Sequence, residues 1–249
     1  MYLLIPAAGS GKRMGGDRNK LLMPLLGKPL IAWTLQAVRA TEAIHWIGII
    51  AQPQEWQDFR DVINSLALGR QVRLIEGGST RQESVYRGLQ ALPAVAEQIL
   101  IHDGARCLAT PDLFNRCAQS VLTHPGLIAA VPVKDTIKVV SPGNHLVQST
   151  PDRSKLWAAQ TPQGFEVETL KKCHDEGIRK GWEVTDDAAL FEHCKLPVHI
   201  VEGEETNLKV TTPIDLAIAE FILTKRMKGE GWSDQPTKRG EAFGQSLQP

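Results

Sequence analysis

The chain has 249 residues, a length near the upper end of a single α/β domain and sufficient for a substantial core. Lysine plus arginine equals aspartate plus glutamate at 28 each, so no overall field steers the molecule toward nucleic acid or a membrane surface. No apolar run approaches the ~18 residues of a membrane span, and the four cysteines show neither C-x-x-C nor zinc-ribbon spacing.

Short apolar runs alternate with helix-period segments along the chain. Strands are predicted at Tyr2–Ile5, Ile44–Ile50, Val72–Ile75, Ile99–His102, Ile128–Val131 and Val198–Val201. Amphipathic stretches lie around Pro29–Ala40, Glu55–Leu66, Arg81–Leu92 and Asp112–Leu122. This alternation predicts an α/β, Rossmann-like fold: a mostly parallel sheet with helices on both faces. Thr80 with Glu83 and Thr212 with Asp215 have capping-box spacing, and Thr110-Pro111 and Thr212-Pro213 place proline just inside a helix. Thr185-Asp186-Asp187 places acids in a first turn.

Residues 137–157 break the alternation. IKVVSPGNHLVQSTPDRSKLW reads as two β segments around the turn signal Pro142-Gly143-Asn144. A hairpin arm projecting from the domain is expected, because its strands carry too few apolar residues to bury themselves. It would pack on a second subunit, making a homodimer, or fold on its own domain. Residues 1–227 are thus read as a single domain with this arm inserted. The last residues, 228–249, are rich in Gly, Pro, Ser, Gln and charge without periodicity, and are expected to be a disordered tail.

The first strand runs into LLIPAAGSGKRMGGDRNKL, which holds four glycines and the cations Lys12, Arg13, Arg18 and Lys20 against only Asp17. A Walker A loop needs Gly-Lys followed by Ser or Thr, and here Arg13 follows Gly11-Lys12. A dinucleotide fingerprint starting at Gly9 would need glycine where Met14 stands, and residues 18–41 contain neither Asp nor Glu. That argues against a nicotinamide-dependent oxidoreductase. Bare backbone amides beside clustered cations at the carboxyl end of a strand suit a polyphosphate.

The run Pro6-Ala7-Ala8-Gly9-Ser10-Gly11-Lys12-Arg13-Met14, with Lys20, resembles the nucleotidyltransferases that activate sugar or alditol phosphates with an NTP. More narrowly it resembles the 2-C-methyl-D-erythritol 4-phosphate cytidylyltransferase family of the non-mevalonate isoprenoid route, over about residues 2–226. The resemblance implies that residues Pro6 to Lys12 wrap the nucleotide and that Arg13 and Lys20 stabilise the transition state.

Four other stations carry the likeness. Gly77–Val85, by itself an ordinary turn with an N-cap, matches a G-G-x-x-R-x-x-S segment that holds cytosine, assigning Gly78, Ser79, Arg81 and Ser84 to the nucleotide; Ser79 stands where Asp is frequent. His102-Asp103-Gly104-Ala105-Arg106 matches H-D-x-A-R-P with Cys107 in place of proline, which implies nucleotide contacts from Asp103 and Gly104 and substrate contact from Arg106. Alone, Asp103 reads equally as a cap. Thr136 and Arg153, which composition would leave as a solvated charge run, match residues that bind the methylerythritol phosphate, Arg153 reaching in from the partner subunit. Thr161 and Thr185 match further edges of that pocket. Lys209, otherwise a solvent-face lysine, matches a residue reaching the α-phosphate and the incoming phosphate.

The reaction implied is CMP transfer from CTP to the polyol phosphate with release of pyrophosphate. Its nucleophile is already an anionic oxygen, so it needs charge relief and alignment rather than a general base. Arg153 and Lys209 would align the attacking phosphate. Mg²⁺ would be held mainly by the nucleotide, with Asp103 the candidate protein carboxylate; the seven histidines show no ligand spacing. Ribitol 5-phosphate as acceptor, and a nucleotide-binding protein without turnover, are the alternatives. The compartment expected is the bacterial cytosol, or the plastid stroma if a transit peptide has been removed.

Overall fold

The computed structural model describes residues 1–9, 19–68 and 71–229. Seven strands form the main sheet: β1 (Tyr2–Pro6), β2 (Trp46–Ala51), β3 (Gln71–Glu76), β4 (Gln98–Ile101), β5 (Gly126–Pro132), β6 (Trp157–Glu166) and β7 (His199–Glu202). Their spatial order is β7-β5-β6-β4-β1-β2-β3. All pairings are parallel except those of β6, which runs antiparallel between β4 and β5. The expected mostly parallel α/β sheet is therefore present.

β1 shows why the strands form. Leu3 and Ile5 enter the core on one face and Leu4 on the other, all fully buried, each contributing about 1.5–3 kcal/mol of burial. Helices α1 (Leu30–Arg39), α2 (Trp56–Ser65), α4 (Pro111–Ser120) and α7 (Pro213–Met227) cover the first face. Helices α3 (Arg81–Gln90), α5 (Val167–Lys180) and α6 (Asp187–His193) cover the second. Gly88 lets α3 lie directly on the sheet, since a Cβ there would sit 2.7 Å from Ile50 Cδ1. Among the described residues no helix is long and apolar enough to cross a membrane.

The caps follow the sequence with one difference. Thr212 and Asp215 form a full capping box, and Thr110 caps α4 by accepting from Leu113 N. Thr80 accepts from Glu83 N as expected, but the Glu83 carboxylate turns to the Ser79 amide and hydroxyl, both at 2.7 Å, instead of closing the box. Ser79 sits one residue ahead of the cap, and Arg87 at 2.7 Å holds the other carboxylate oxygen.

β6 and α5 are not among the elements expected from the sequence. The run WAAQTPQGFE carries proline inside it, which normally demotes a strand, and its register against β5 shifts between Ala159 and Gln163, where the Thr161–Pro162 peptide is cis. Within the stretch expected to form the arm, Val139–Val140 pairs antiparallel with Val147–Ser149 as a short hairpin, and the stretch ends earlier than expected because Trp157 already belongs to β6. Leu146 and Val147 on it are 63% and 61% exposed, so within one protomer the arm buries little apolar surface. The tail expected from residue 228 lies, beyond Gly229, outside the described residues.

Candidate functional site

β4, β1, β2 and β3 are parallel, so their carboxyl ends share one edge of the sheet. The chain leaves β1 toward β2 and β3 on one side and then places β4 on the other, making the switch point at which open α/β sheets bind ligands. A cleft opens there. Pro6, Ala7, Ala8 and Gly9 enter it after β1, and Gly78, Ser79, Arg81 and Ser84 enter between β3 and α3. Asp103 and Gly104 enter after β4, and Lys20 and Lys209 also line it. Ser10, Gly11, Lys12 and Arg13 lie outside the described residues.

The two ends of the glycine-rich loop are tied by Asn19, which the sequence reading did not single out. Its Nδ2 donates to the Ala7 carbonyl at 2.6 Å and to Glu55 at 2.9 Å, and its Oδ1 accepts from Leu21 N. The local signal was an Asn heading the short turn Lys20–Leu22, a capping position. Lys20 follows directly, and its Nζ donates to the Val210 carbonyl at 2.9 Å, beside Lys209.

A chain of charges runs through the cleft wall. Lys209 Nζ lies 2.7 Å from Asp103 Oδ2, and Arg81 Nε lies 3.7 Å from Asp103 Oδ1. Arg81 also pairs with the buried Asp187 at 2.8 Å, whose other oxygen is 3.4 Å from His174 Nε2. Burial alone would raise the Asp103 carboxyl, but the charges of Arg81 and Lys209 overcome it and hold it down to about 2. Asp187 is likewise lowered, its burial outweighed by Arg81 and His174. Asp103 is the one carboxylate lining the cleft among the described residues, and no group of three potential metal-ligating side chains occurs among them.

The serine of the β3–α3 turn is also fixed. Ser84 Oγ accepts from Gly78 N at 3.0 Å and donates to the Thr80 carbonyl at 2.8 Å. That leaves one lone pair on a hydroxyl facing the cleft.

The expected substrate residues, Lys209 excepted, do not line this cleft. Arg106 donates to the Asn207 carbonyl at 2.7 Å and to the Ala159 carbonyl at 3.1 Å. Thr161 is buried, with its hydroxyl on Asp103 N and His102 Nδ1, both at 3.0 Å. Thr185 is exposed ahead of α6, where Asp186 supplies the cap. Thr136 and Arg153 are exposed at the base of the arm, Arg153 donating to the Lys134 carbonyl at 2.7 Å.

A switch-point cleft with a glycine-rich strand exit and two lysines beside a paired carboxylate defines an α/β nucleotide-binding transferase. A family model described as 2-C-methyl-D-erythritol 4-phosphate cytidylyltransferase (IspD) matches residues 1–225. The chain belongs to that family and is a cytidylyltransferase. It is 71% identical over 226 residues to the 2-C-methyl-D-erythritol 4-phosphate cytidylyltransferase of Nostoc punctiforme, an alignment covering 91% of this chain and 99% of that one. The protein of the same name from Thermosynechococcus vestitus is 64% identical over 230 residues, covering 92% and 98%. Two crystal structures share the fold. 4-Diphosphocytidyl-2C-methyl-D-erythritol synthase from Anaerococcus prevotii has a TM-score of 0.80 at 29% identity, covering 90% of this chain and 97% of that one. The Thermus thermophilus cytidylyltransferase has a TM-score of 0.70 at 32% identity, covering 89% and 98%.

Proposed function

We propose that the cleft binds CTP and transfers its CMP group to 2-C-methyl-D-erythritol 4-phosphate, a step of non-mevalonate isoprenoid synthesis. A phosphate oxygen of the acceptor forms a bond to the α-phosphorus while the bond from that phosphorus to the bridging oxygen breaks, releasing pyrophosphate. The observation that carries this reading is the convergence of Lys20, Lys209 and the strand-end glycines on one switch-point cleft.

Each residue then has a physical task. The amides of Ala7 to Gly9, with Ser10, Gly11 and Lys12, receive the triphosphate. Gly78, Ser79 and Ser84 read the base edge, and Asp103 and Gly104 border the ribose. Arg13 and Lys20 stabilise the charge that builds at the α-phosphoryl group and on the leaving pyrophosphate. Lys209, held beside the cleft by Asp103, lowers the repulsion between the two anions and aligns the attacking phosphate. No proton has to leave the nucleophile, because the attacking phosphate oxygen is already anionic.

The donor set suits a divalent cation held by the nucleotide rather than by a protein cage, since among the described residues a single ionised carboxylate, Asp103, lines the cleft. Mg²⁺ bound there would neutralise triphosphate charge. Thr136, Arg106 and Arg153 would complete the acceptor site in a homodimer, Arg153 coming from the partner's arm. The arm's exposed valines and leucine support this, because a second copy would bury them. Both substrates are small water-borne anions, and we assign the enzyme to an aqueous compartment, the cytosol or a plastid stroma. The test is pyrophosphate release with each NTP, with and without each polyol phosphate: CTP with methylerythritol phosphate should be the productive pair, and release with ribitol 5-phosphate alone would reassign the acceptor.

A further inference from the structure

Asn19 is buried where the exits of β1 and β2 meet, and both protons of its side-chain amide are committed. One goes to the Ala7 carbonyl at 2.6 Å, just past β1, and the other to Glu55 Oε2 at 2.9 Å, at the head of α2. Its Oδ1 accepts from Leu21 N at 3.0 Å. Only this orientation of the amide satisfies all three neighbours, because two of them are acceptors and the third is a donor. Two groups of the cleft depend on this junction. The Ala7–Ala8 peptide is planar and trans, so holding the Ala7 carbonyl also fixes the Ala8 N–H, which points the opposite way. Ala8 lines the cleft. Asn19 also heads the turn Lys20–Leu22, its own carbonyl accepting from Leu22 N at 3.0 Å, while Leu21 is buried in the core. From that turn Lys20 Nζ reaches the Val210 carbonyl at 2.9 Å, and Val210 N is in turn held by the Ala105 carbonyl at 2.9 Å.

We propose that Asn19, set between the Ala7 carbonyl and Glu55, is a positioning residue for the transfer reaction: it fixes the Ala7–Ala8 peptide and the turn from which Lys20 extends. Both of its donors are taken by the protein, so it acts through Ala8 and Lys20 rather than by donating to the nucleotide. Glu55 does not line the cleft and acts one step further back, by orienting the Asn19 amide. The inference rests on the reading of Lys20 as the cation that stabilises the transferring phosphoryl group. Its scale follows from geometry, since a displacement of about 1 Å in a positioned group can cost roughly 10²-fold in rate.

Asn19→Asp is nearly isosteric and keeps the acceptor for Leu21 N, but it turns a carboxylate oxygen toward both the Ala7 carbonyl and the Glu55 carboxylate. Turnover should fall roughly 10–100-fold, with KM for methylerythritol phosphate moving less than about twofold. Glu55→Gln alone should stay within about threefold of wild type, since its amide oxygen still accepts from Asn19. Combined with Asn19→Asp, it should recover about fivefold or more of the lost turnover, because the new amide donates to the carboxylate at position 19 and the like charge is gone. In the wild type, the side-chain amide protons of Asn19 should exchange with solvent about tenfold or more slower than those of the exposed Asn144, a readout that needs no variant to fold. Turnover of Asn19→Asp within about threefold of wild type would overturn the proposal, as would a loss that Glu55→Gln leaves untouched, or an Asn19 amide that exchanges as fast as that of Asn144. Full turnover in Lys20→Ala would instead refute the underlying reading of the cleft.

Discussion

Lys209 Nζ stands 2.7 Å from Asp103 Oδ2, joining the loop after β4 to a segment that follows β7. The pair sets the charge state of the cleft floor, because Asp103 is held at about 2 against the pull of its own burial. Lys209→Gln should let the carboxyl titrate upward, readable by ¹³C NMR, since it removes the charge and hydrogen bond of Lys209 and leaves mainly Arg81 at 3.7 Å to oppose burial. Turnover should fall by about 10²–10³-fold, the range for removing one preorganised charge from a phosphoryl or acyl transfer site. Unchanged turnover together with an unchanged Asp103 titration would remove Lys209 from the mechanism.

Base selection should follow from the protons of Ser84. Its hydrogen is committed to the Thr80 carbonyl, so the hydroxyl can accept from a base but cannot donate to one. The exocyclic amino group of cytosine is a donor, whereas uracil presents a carbonyl at that position. CTP should therefore be strongly preferred to UTP, and Ser84→Ala should weaken CTP binding by about 1 kcal/mol or somewhat more. Equal kcat/KM for the two nucleotides is the result that removes this assignment.

Complementation tests the shared site. Lys20 lies in the cleft, whereas Arg153 lies exposed at the base of the arm. Lys20→Ala should chiefly lower kcat, by roughly 10²–10³, and Arg153→Ala should chiefly raise KM for the polyol phosphate. Mixed in equal amounts with free subunit exchange, the two near-inactive variants should regain up to about a quarter of wild-type activity per site, because half the dimers are mixed and each mixed dimer has one intact site. Absence of rescue after confirmed exchange would place the arm on its own subunit.

Stability should fall on acidification in two steps. Burial pushes the His102 imidazole down to about 4, so between about 6.5 and 4 the unfolded chain binds a proton that the native fold refuses. Lowering the pH through that window should cost up to about 3 kcal/mol. Asp103, held at about 2, removes further stability below its ordinary range near 3.8. Denaturant midpoints measured across pH 4 to 7 should drop steadily in the wild type and less steeply in His102→Gln. A wild-type midpoint that rises on acidification would show His102 charged inside the fold.

Much of this molecule was determined by its sequence alone. Strands β1, β2 and β4 were legible because a central parallel strand is buried on both faces and must be a continuous apolar run, as in Tyr2–Ile5 and Ile99–His102. The residues that line the cleft were legible because each set is local: the glycine-rich exit from β1, the Gly78–Ser84 turn and the Asp103–Gly104 strand end keep their chemistry at fixed short spacing. What the tertiary structure alone decided is which distant segments meet. No spacing joins Lys209 to Asp103, Asp187 to Arg81, or Asn19 to Ala7. Nor did the proline-interrupted run at 157–166 announce an antiparallel strand, which takes its place from pairing with β4 and β5 rather than from its own pattern. That strand turns Thr161 inward to His102 and Asp103 and draws Arg106 onto the Ala159 carbonyl. Local periodicity records which face of an element is apolar, whereas register between elements arises only when the whole sheet assembles and every buried polar group must find its partner.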